Sequence, residues 1–247
     1  MLTNIQIEEL EYKYLNRIHS MLQAHQDNMI KNLESMNTII DYWRDVPHDQ
    51  GYDSGAERVI YSILTRGGDL GEPNSCPVAS DLFFENNEAF IHIDLKSAQP
   101  VNNLTDHWRT PVGKNQTSYN HSIKTQRSET LREFNPSLPH YYGNKVTLTF
   151  FITILYDKIE KNFRVVNINV SSMPNGQLSS EYGYDVLSPG KNPHDDKARF
   201  TMNKCFQFRN LNDENKKRVL VTYLNMDVLN QKFRTPFEKF LSSINYS

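Results

Sequence analysis

The sequence predicts a mixed α/β (α+β) fold in which helices flank a mixed central β-sheet and an N-terminal helical segment precedes the sheet. Three observations lead to this prediction. Apolar residues follow a helical period over residues 5–43, two pairs of β-rich segments occupy the middle of the chain, and a helical pattern closes it. With 247 residues, 38% of them hydrophobic, the chain can bury a substantial core. We therefore expect one domain over residues 1–247.

The first helical pattern occupies the N-terminal segment, residues 1–50. Its apolar positions lie mostly three or four apart from Leu15 to Trp43, and His25 and Gln26 interrupt them. A long helix or a helical pair fits this spacing, with packing or dimerisation as its role.

A second helix is expected to begin at Ser54 and to end at Gly67-Gly68. Ser54-Gly-Ala-Glu57 matches a capping box, in which the serine caps the helix and the glutamate bonds back to the serine amide. Two consecutive glycines are typical of a helix end.

Four segments have the β-branched and aromatic composition of strands. They are ASDLFFE (79–85), AFIHIDL (89–95), VTLTFFITILYD (146–157) and FRVVNINV (163–170). Asn86-Asn87 predicts a hairpin between the first two, and residues 158–162 predict a turn between the last two.

The other segments are less regular. The polar, proline-containing residues 97–144 predict a loop with one helix opening near Gln116, and residues 171–197 predict a second long loop. ARFTMNKCFQFR (198–209) alternates like a strand. Residues 213–233 follow a helical period and begin with two acids, which favours a closing helix.

The formal net charge of -2 conceals an uneven distribution. Basic residues outnumber acidic ones in residues 96–132 and 191–218, whereas the first 95 residues are acidic. Local basic surfaces of this kind are typical of phosphate-binding proteins, and an ordinary solvated mixed-charge surface is the alternative. We expect no membrane helix, because no long apolar run occurs. Cys76 and Cys205 lack metal-ligand spacing and are expected to be reduced thiols, so zinc is not suggested.

The strand AFIHIDLK, residues 89–96, carries charged side chains beside a core-forming triplet. Alternation places Ile91, Ile93 and Leu95 on the core face, and His92, Asp94 and Lys96 on the other. A hairpin symmetric about Asn86-Asn87 would place Asp81 opposite His92 and diagonal to Asp94. A three-residue loop would instead turn Asp81 into the core.

Two carboxylates held this close repel each other unless a cation lies between them. Hard oxygen ligands favour Mg²⁺ or Mn²⁺, and a lysine two residues after the second aspartate can orient or deprotonate an attacking water. This is the chemistry of phosphodiester hydrolysis. The alternative is a solvent-facing strand with an ordinary Asp–Lys pair, since the D-x-K tripeptide is common.

The wider pattern resembles the PD-(D/E)xK nuclease core, and in particular that of a type II restriction endonuclease. Pro77-Val-Ala-Ser-Asp81, a hairpin and Ile93-Asp94-Leu95-Lys96 follow a helix with Glu57 and precede two apolar strands. The match covers residues 54–170, and the proline lies four residues before Asp81 instead of next to it. The resemblance implies a restriction-endonuclease-like core in which Asp81, Asp94 and the Leu95 carbonyl bind Mg²⁺, with Mn²⁺ able to substitute. Lys96 would serve the attacking water.

The resemblance also implies a function. We expect Mg²⁺-dependent, site-specific hydrolysis of double-stranded DNA that leaves 5′-phosphate ends, by a homodimer or a monomer in a bacterial cytoplasm. Residues 54–170 would form the catalytic core, and residues 171–247 the recognition loops and closing helix. The alternatives are a DNA repair or recombination nuclease with the same core, and a non-catalytic DNA-binding regulator.

Glu57 and Gln116 each have two alternative roles, whereas His92 is expected to be a spectator. Glu57 either caps its helix or approaches the metal. For Gln116 the first role is an adenine contact together with Asn115 and the phosphate-binding Lys114. The second is the start of a helix, with Tyr119, packed on the active site.

A second recognition loop is expected at residues 190–199, with Lys191, Lys197 and Arg199 as DNA contacts. His194, Asp195 and Asp196 could form a metal cluster, but adjacent side chains point apart, so a solvated turn is favoured.

Overall fold

The computed structural model describes residues 1–35, 48–75, 80–124, 131–160, 162–183, 186–190, 199–204 and 217–246. Its helices of four residues or more are α1 (Asn4–Ala24), α2 (Gln26–Glu34), α3 (His48–Leu64), α4 (Pro100–Trp108), α5 (Ser179–Tyr182) and α6 (Gln231–Ser243). Its strands are β1 (Glu72–Pro73), β2 (Leu82–Glu85), β3 (Ala89–Ala98), β4 (Arg109–Val112), β5 (His121–Lys124), β6 (Leu131–Phe134), β7 (Tyr141–Tyr142), β8 (Lys145–Ile159), β9 (Asn162–Met173), β10 (Leu187–Pro189), β11 (Phe200–Asn203) and β12 (Val219–Leu224).

The central sheet is mixed. Its described strands have the order β1-β2-β3-β8-β9-β12, and β7 also pairs with β8. The β3–β8 pair is parallel and the others are antiparallel. The long segments predicted as strands around residues 146 and 163 form β8 and β9, which are buried along most of their length. The predicted fold class is therefore confirmed.

Residues 1–35 of the N-terminal segment contain a helical pair. Helix α1 begins with a capping box between Thr3 and Gln6 and ends at His25, where the apolar pattern is interrupted. The apolar stripe of both helices, including Leu15, Ile18 and Leu33, belongs to the main core. This stripe packs inside the chain, which agrees with packing, the first of its two expected roles.

Helix α3 begins earlier than the sequence indicates. It starts at His48, so Ser54 and Glu57 lie within the helix and the predicted capping box is wrong. Tyr52 is fully buried and stacks on Tyr156 with ring centroids 3.9 Å apart, and this aromatic packing stabilises the helix ahead of Ser54. The helix ends as expected before Gly67 and Gly68, which have φ of 79° and 66°.

The hairpin between β2 and β3 turns one residue later than predicted. Glu85 pairs with Phe90, so the turn is centred on Asn87-Glu88 instead of Asn86-Asn87. The side-chain oxygen of Asn86 accepts hydrogen bonds from the amides of Glu88 (3.0 Å) and Ala89 (2.9 Å), which fixes Asn86 as the first residue of the turn. The register moves by two residues, so every side chain keeps its predicted face.

The two faces of the central sheet are both covered. Helices α1 to α3 pack on the face of Ile91 and Ile93, which join one apolar cluster with them. Aromatic residues of α4 and α6 pack together on a second cluster, with His107 5.5 Å from Phe237 between ring centroids. Because β3 is covered on both sides, His92 and Asp94 are buried and not on a solvated surface.

Residues 97–144 contain more structure than a loop. Pro100 occupies the start of α4, where its missing amide hydrogen is tolerated, and β4 follows the helix directly. Strand β4 then pairs with β11, which pairs with β10, in a separate three-stranded antiparallel sheet that we call the small sheet.

The closing helix predicted over residues 213–233 is wrong in its described part. Residues 219–224 form β12, which pairs with β9, and the helix follows as α6. The sequence VLVTYL carries the β-branched residues of a strand, and its pairing to a buried neighbour outweighs a compatible helical period. Across the described ranges, no helix is both long and apolar enough to cross a bilayer.

Candidate active site

Asp81 lies just before β2 and is tied to the neighbouring strand. Its Oδ2 atom accepts a hydrogen bond from the backbone amide of Leu95 at 2.5 Å. The hydroxyl of Ser80 lies within hydrogen-bond distance of the carbonyl oxygens of Leu82 (2.5 Å) and Ile93 (3.2 Å). These contacts hold the Asp81 carboxylate against β3, although the residue keeps an exposed surface.

Asp94 is the buried acid of the site, with 2% of its surface exposed. Its Oδ1 atom accepts a hydrogen bond from Nε2 of Gln116 at 2.7 Å, and its Oδ2 atom forms an ion pair with Lys96. Burial raises the pKa of Asp94 to about 6, and the charge of Asp81 adds to the increase, while Lys96 and Gln116 oppose it. The pair Asp81 and Asp94 is therefore held close enough for the two charges to repel.

Two further acids approach from helix α3. Burial raises the pKa of Glu57, and the charges of Asp81 and Asp53 raise it further. Asp53 accepts a hydrogen bond from the hydroxyl of Ser97, one residue after Lys96. Glu57 thus faces the acidic cluster, which favours the second of its two predicted roles.

Asp53 was missed by the sequence interpretation. Its spacing of four residues from Glu57 places both on one helix face, and this spacing was the available signal. Because the sequence predicted that the helix begins at Ser54, Asp53 fell outside it and this spacing was not considered.

Gln116 lies in a short 3₁₀ turn, Lys114–Gln116, that follows β4. Besides its bond to Asp94, its Oε1 atom accepts from the amide of Gly113 at 2.9 Å. Both ends of the amide are engaged, so in this conformation Gln116 is directed at the site. The structure places it as the second alternative does, although a 3₁₀ turn takes the place of the expected helix.

The carboxylate pair fits a divalent cation. Asp94 Oδ2 is buried, and its partner is the ammonium of Lys96. Mg²⁺ commonly uses one or two carboxylates and completes its shell with water and substrate phosphate. In the described ranges no three His, Cys, Asp or Glu side chains converge into a ready-made metal site.

The predicted DNA contacts are only partly within the described ranges. Lys114 is half-buried, and Asn115 and Arg199 are exposed. Lys191 and Lys197 lie outside the described residues, as do His194, Asp195 and Asp196, the segment Pro77–Ala79 and both cysteines.

Two solved structures share this architecture. The restriction endonuclease BglI, bound to its DNA recognition sequence, superposes with a TM-score of 0.67 at 17% identity, over 90% of this chain and 91% of that chain. The tetrameric restriction endonuclease SfiI, bound to cognate DNA, superposes with a TM-score of 0.63 at 17% identity, over 81% of this chain and 79% of that chain. At this level of identity the similarity establishes the fold.

Sequence comparison establishes the family. No match was found among curated proteins. The family profile of the N-terminal domain of the type II restriction enzyme MwoI matches residues 3–162, and the profile of its central domain matches residues 165–224. The first match alone spans more than half of the chain and includes all four acids and Lys96. The chain therefore belongs to the MwoI family of type II restriction enzymes and is a site-specific endonuclease.

Proposed function

We propose that this endonuclease hydrolyses double-stranded DNA with Mg²⁺ at the site formed by Asp81, Asp94, the Leu95 carbonyl and Lys96, and leaves 5′-phosphate and 3′-hydroxyl ends. Mn²⁺ would substitute for Mg²⁺. The observation that carries the proposal is the closeness of Asp81, just before β2, to Asp94 on β3, with Lys96 paired to the buried acid. Two acids this close, with one lysine between their charges, leave a net negative charge that a cation bound also by the substrate phosphate would compensate.

Each residue of the site has a separate role in the proposed reaction. Bound there, Mg²⁺ supplies Lewis-acid stabilisation of the charge that develops on the phosphate. Asp81 and Asp94 hold the cation, and Leu95 is positioned by the hydrogen bond between its amide and Asp81. Lys96, 23% exposed, is held at the site by its ion pair with Asp94, and its ammonium would orient the attacking water and stabilise the negative charge that develops on the phosphate.

Gln116 and Glu57 act around this centre. The Gln116 amide donates to Asp94 Oδ1, so it directs the other oxygen, Oδ2, toward the cation. Glu57 lies near Asp81 and is proposed to reach the cation through water, as its electrostatic coupling to Asp81 suggests.

DNA binding is proposed to involve Lys114, Asn115 and Arg199, and, on the sequence alone, Lys191 and Lys197. Both structural relatives were solved on DNA. A two-fold homodimer would match a palindromic site. Sedimentation of the protein with and without DNA tests this, and a monomer under both conditions would contradict it.

The cellular setting follows from the enzyme class. We propose that the protein acts in a bacterial cytoplasm beside a methyltransferase that protects the host DNA.

A plasmid digest tests the catalytic proposal. With Mg²⁺ the wild type should cut at fixed sites, and sequencing of the ends should show 5′-phosphates. Asp94→Asn should lose cleavage, and Lys96→Ala should slow it by about 10²–10³-fold, the range for the loss of a group that stabilises developing charge.

Lys158→Ala is the matched control for the lysine change, since Lys158 lies at an exposed position near the end of β8. This variant should cut like the wild type. Cleavage by Lys96→Ala at the wild-type rate would overturn the proposed role of the site.

A further inference from the structure

Lys204 follows β11 and is buried, with 1% of its surface exposed. Its ammonium donates hydrogen bonds to the carbonyl of His107, to Oγ1 of Thr153 (2.5 Å) and to Oδ1 of Asn169 (3.1 Å). The acceptors in these three bonds are neutral oxygens. These hydrogen bonds lower the cost of burying the ammonium and hold it in one position.

The position of this ammonium relates it to the catalytic lysine. Lys96 pairs with Thr153 across the parallel β3–β8 ladder, and Thr153 pairs with Asn169 across the antiparallel β8–β9 ladder. Directly paired residues share one face of a sheet, so Lys96, Thr153 and Asn169 form one cross-strand row. Neighbouring strands lie about 4.8 Å apart. Lys204 therefore contacts both other members of the row, of which Thr153 lies next to Lys96.

Lys204 also fixes the end of the helix that follows the catalytic strand. Its backbone amide donates to the carbonyl of Trp108 at 3.1 Å, and its ammonium donates to that of His107. These carbonyls belong to the last turn of α4, where a positive charge is favourable. Helix α4 begins four residues after Lys96, so Lys204 holds the far end of the segment that leaves the site.

The small sheet is thus attached to the active site at both ends of its β4–β11 ladder. Beyond Val112 at one end, Gln116 contacts Asp94. Beyond Asn203 at the other end, Lys204 contacts the row of Lys96. A displacement of this ladder would therefore change the positions of both Asp94 and Lys96.

We propose that Lys204 is a positioning residue for DNA cleavage, which fastens the small sheet and the end of α4 to the cross-strand row of Lys96 through Thr153 and Asn169. The proposal rests on the proposed function, because it assigns Lys204 to the seating of Lys96. In this role Lys204 sets the geometry of the active site once DNA is bound, and it does not itself contact DNA. Its loss should therefore lower the cleavage rate and leave DNA affinity unchanged.

Two substitutions test this role. Lys204→Met keeps the length of the side chain and removes the charge, and Thr153→Val removes only the hydroxyl that links Lys204 to the row. Single-turnover cleavage would be measured with Mg²⁺ on a DNA fragment that carries the site mapped by the plasmid digest. DNA affinity would be measured with Ca²⁺ in place of Mg²⁺. Both variants should cleave about 10–100-fold more slowly, as when a residue that orients a metal-site side chain is lost.

Thr149→Val is the matched control. Thr149 is buried on the same strand and the same face, but it pairs with His92, and its hydroxyl has no hydrogen-bond partner among the described residues. This variant should cleave at the wild-type rate. A purely structural role would lower the folded fraction and leave the rate per folded molecule unchanged, so thermal unfolding is measured on each variant.

The outcomes separate this inference from the proposed function. Wild-type rates per folded molecule in Thr153→Val, or in a folded Lys204→Met, would overturn the inference while Lys96→Ala stays slow. If Lys204→Met does not fold, Thr153→Val decides alone. Wild-type cleavage by Lys96→Ala would instead overturn the proposed function.

Discussion

The Oδ2 atom of Asp81 accepts a hydrogen bond from the backbone amide of Leu95 at 2.5 Å, so the first acid of the site is tied to the strand that carries the second. The bond crosses from the start of β2 to β3, next to Asp94. The separation of Asp81 and Asp94 is therefore determined by the pairing of the strands and not by the turn that joins them. Any change that keeps the β2–β3 register should therefore keep the acid pair.

The raised pKa of Asp94 predicts a dependence of stability on pH. Its folded-state pKa of about 6 exceeds the ordinary value of 3.8, so the folded state holds a proton that the unfolded state has lost between these pH values. Stability from this group thus falls as pH rises from about 4 to about 6, and the full penalty, on the order of 2–3 kcal/mol, persists above pH 6. Asp94→Asn should remove the penalty and be more stable than the wild type at pH 7 without Mg²⁺.

Urea unfolding at pH 4 and pH 7 measures this difference. Mg²⁺ should stabilise the wild type and not Asp94→Asn, since only the wild type has the charged acid pair. Asp227→Asn, at an exposed aspartate, controls for the substitution itself. The interpretation would be wrong if Asp94→Asn were less stable than the wild type at pH 7 without Mg²⁺.

Substitutions of the adjacent residues Gln116 and Asn115 should affect two different functions, cleavage and DNA binding. Gln116→Leu removes the amide that orients Asp94 and should slow cleavage by about 10–100-fold, with little change in DNA affinity. Asn115→Ala, at an exposed neighbour, should weaken DNA binding instead. Affinity and single-turnover rate, measured on both variants, give the comparison. Weaker binding in Gln116→Leu at an unchanged saturated rate would favour its predicted contact with adenine.

The sequence predicts the sheet and the acid pair better than it predicts the helix boundaries. The faces of Asp81 and Asp94 follow from alternation, and a register error of two residues leaves a face unchanged because the period of a strand is two. Burial of Tyr52 and pairing of residues 219–224 with β9 depend on distant partners, so local patterns misplaced the start of α3 and the element after residue 218. Gln116 could be proposed for the site, but its contact with Asp94 requires the folded small sheet.

Glu57 should affect cleavage and not the stability of its helix. Because α3 begins at His48, Ser54 is not its cap, and Ser54→Ala should change the free energy of unfolding by less than about 0.5 kcal/mol, as expected for a surface change. Glu57→Gln removes one of the charges that repel Asp81, so it should not destabilise the fold, yet it should slow cleavage. Unfolding and cleavage rates on both variants test this. Destabilisation of about 1 kcal/mol by Ser54→Ala would restore the capping role.

A buried ion pair joins the N-terminal helix to the last strand of the sheet. Nη2 of Arg218 lies 3.0 Å from Oε2 of Glu11, and the two side chains are 2% and 0% exposed. The other oxygen of Glu11 accepts from the amide of Asn175 at 2.5 Å, and the Arg218 guanidinium lies 4.5 Å from the ring centroid of Tyr182. Burial raises the pKa of Glu11, and the charge of Arg218 opposes this increase.

Removal of Arg218 should therefore destabilise the protein without slowing the reaction. Arg218→Met leaves the Glu11 carboxylate buried without its cation, which should lower the free energy of unfolding by about 3–5 kcal/mol at pH 7. The loss should shrink at acidic pH, where Glu11 is protonated, and Glu11→Leu combined with Arg218→Met should recover most of it. The cleavage rate per folded molecule should match the wild type, because the pair lies outside the row of Lys96. Equal losses in the single and double variants would show that the two side chains do not stabilise each other.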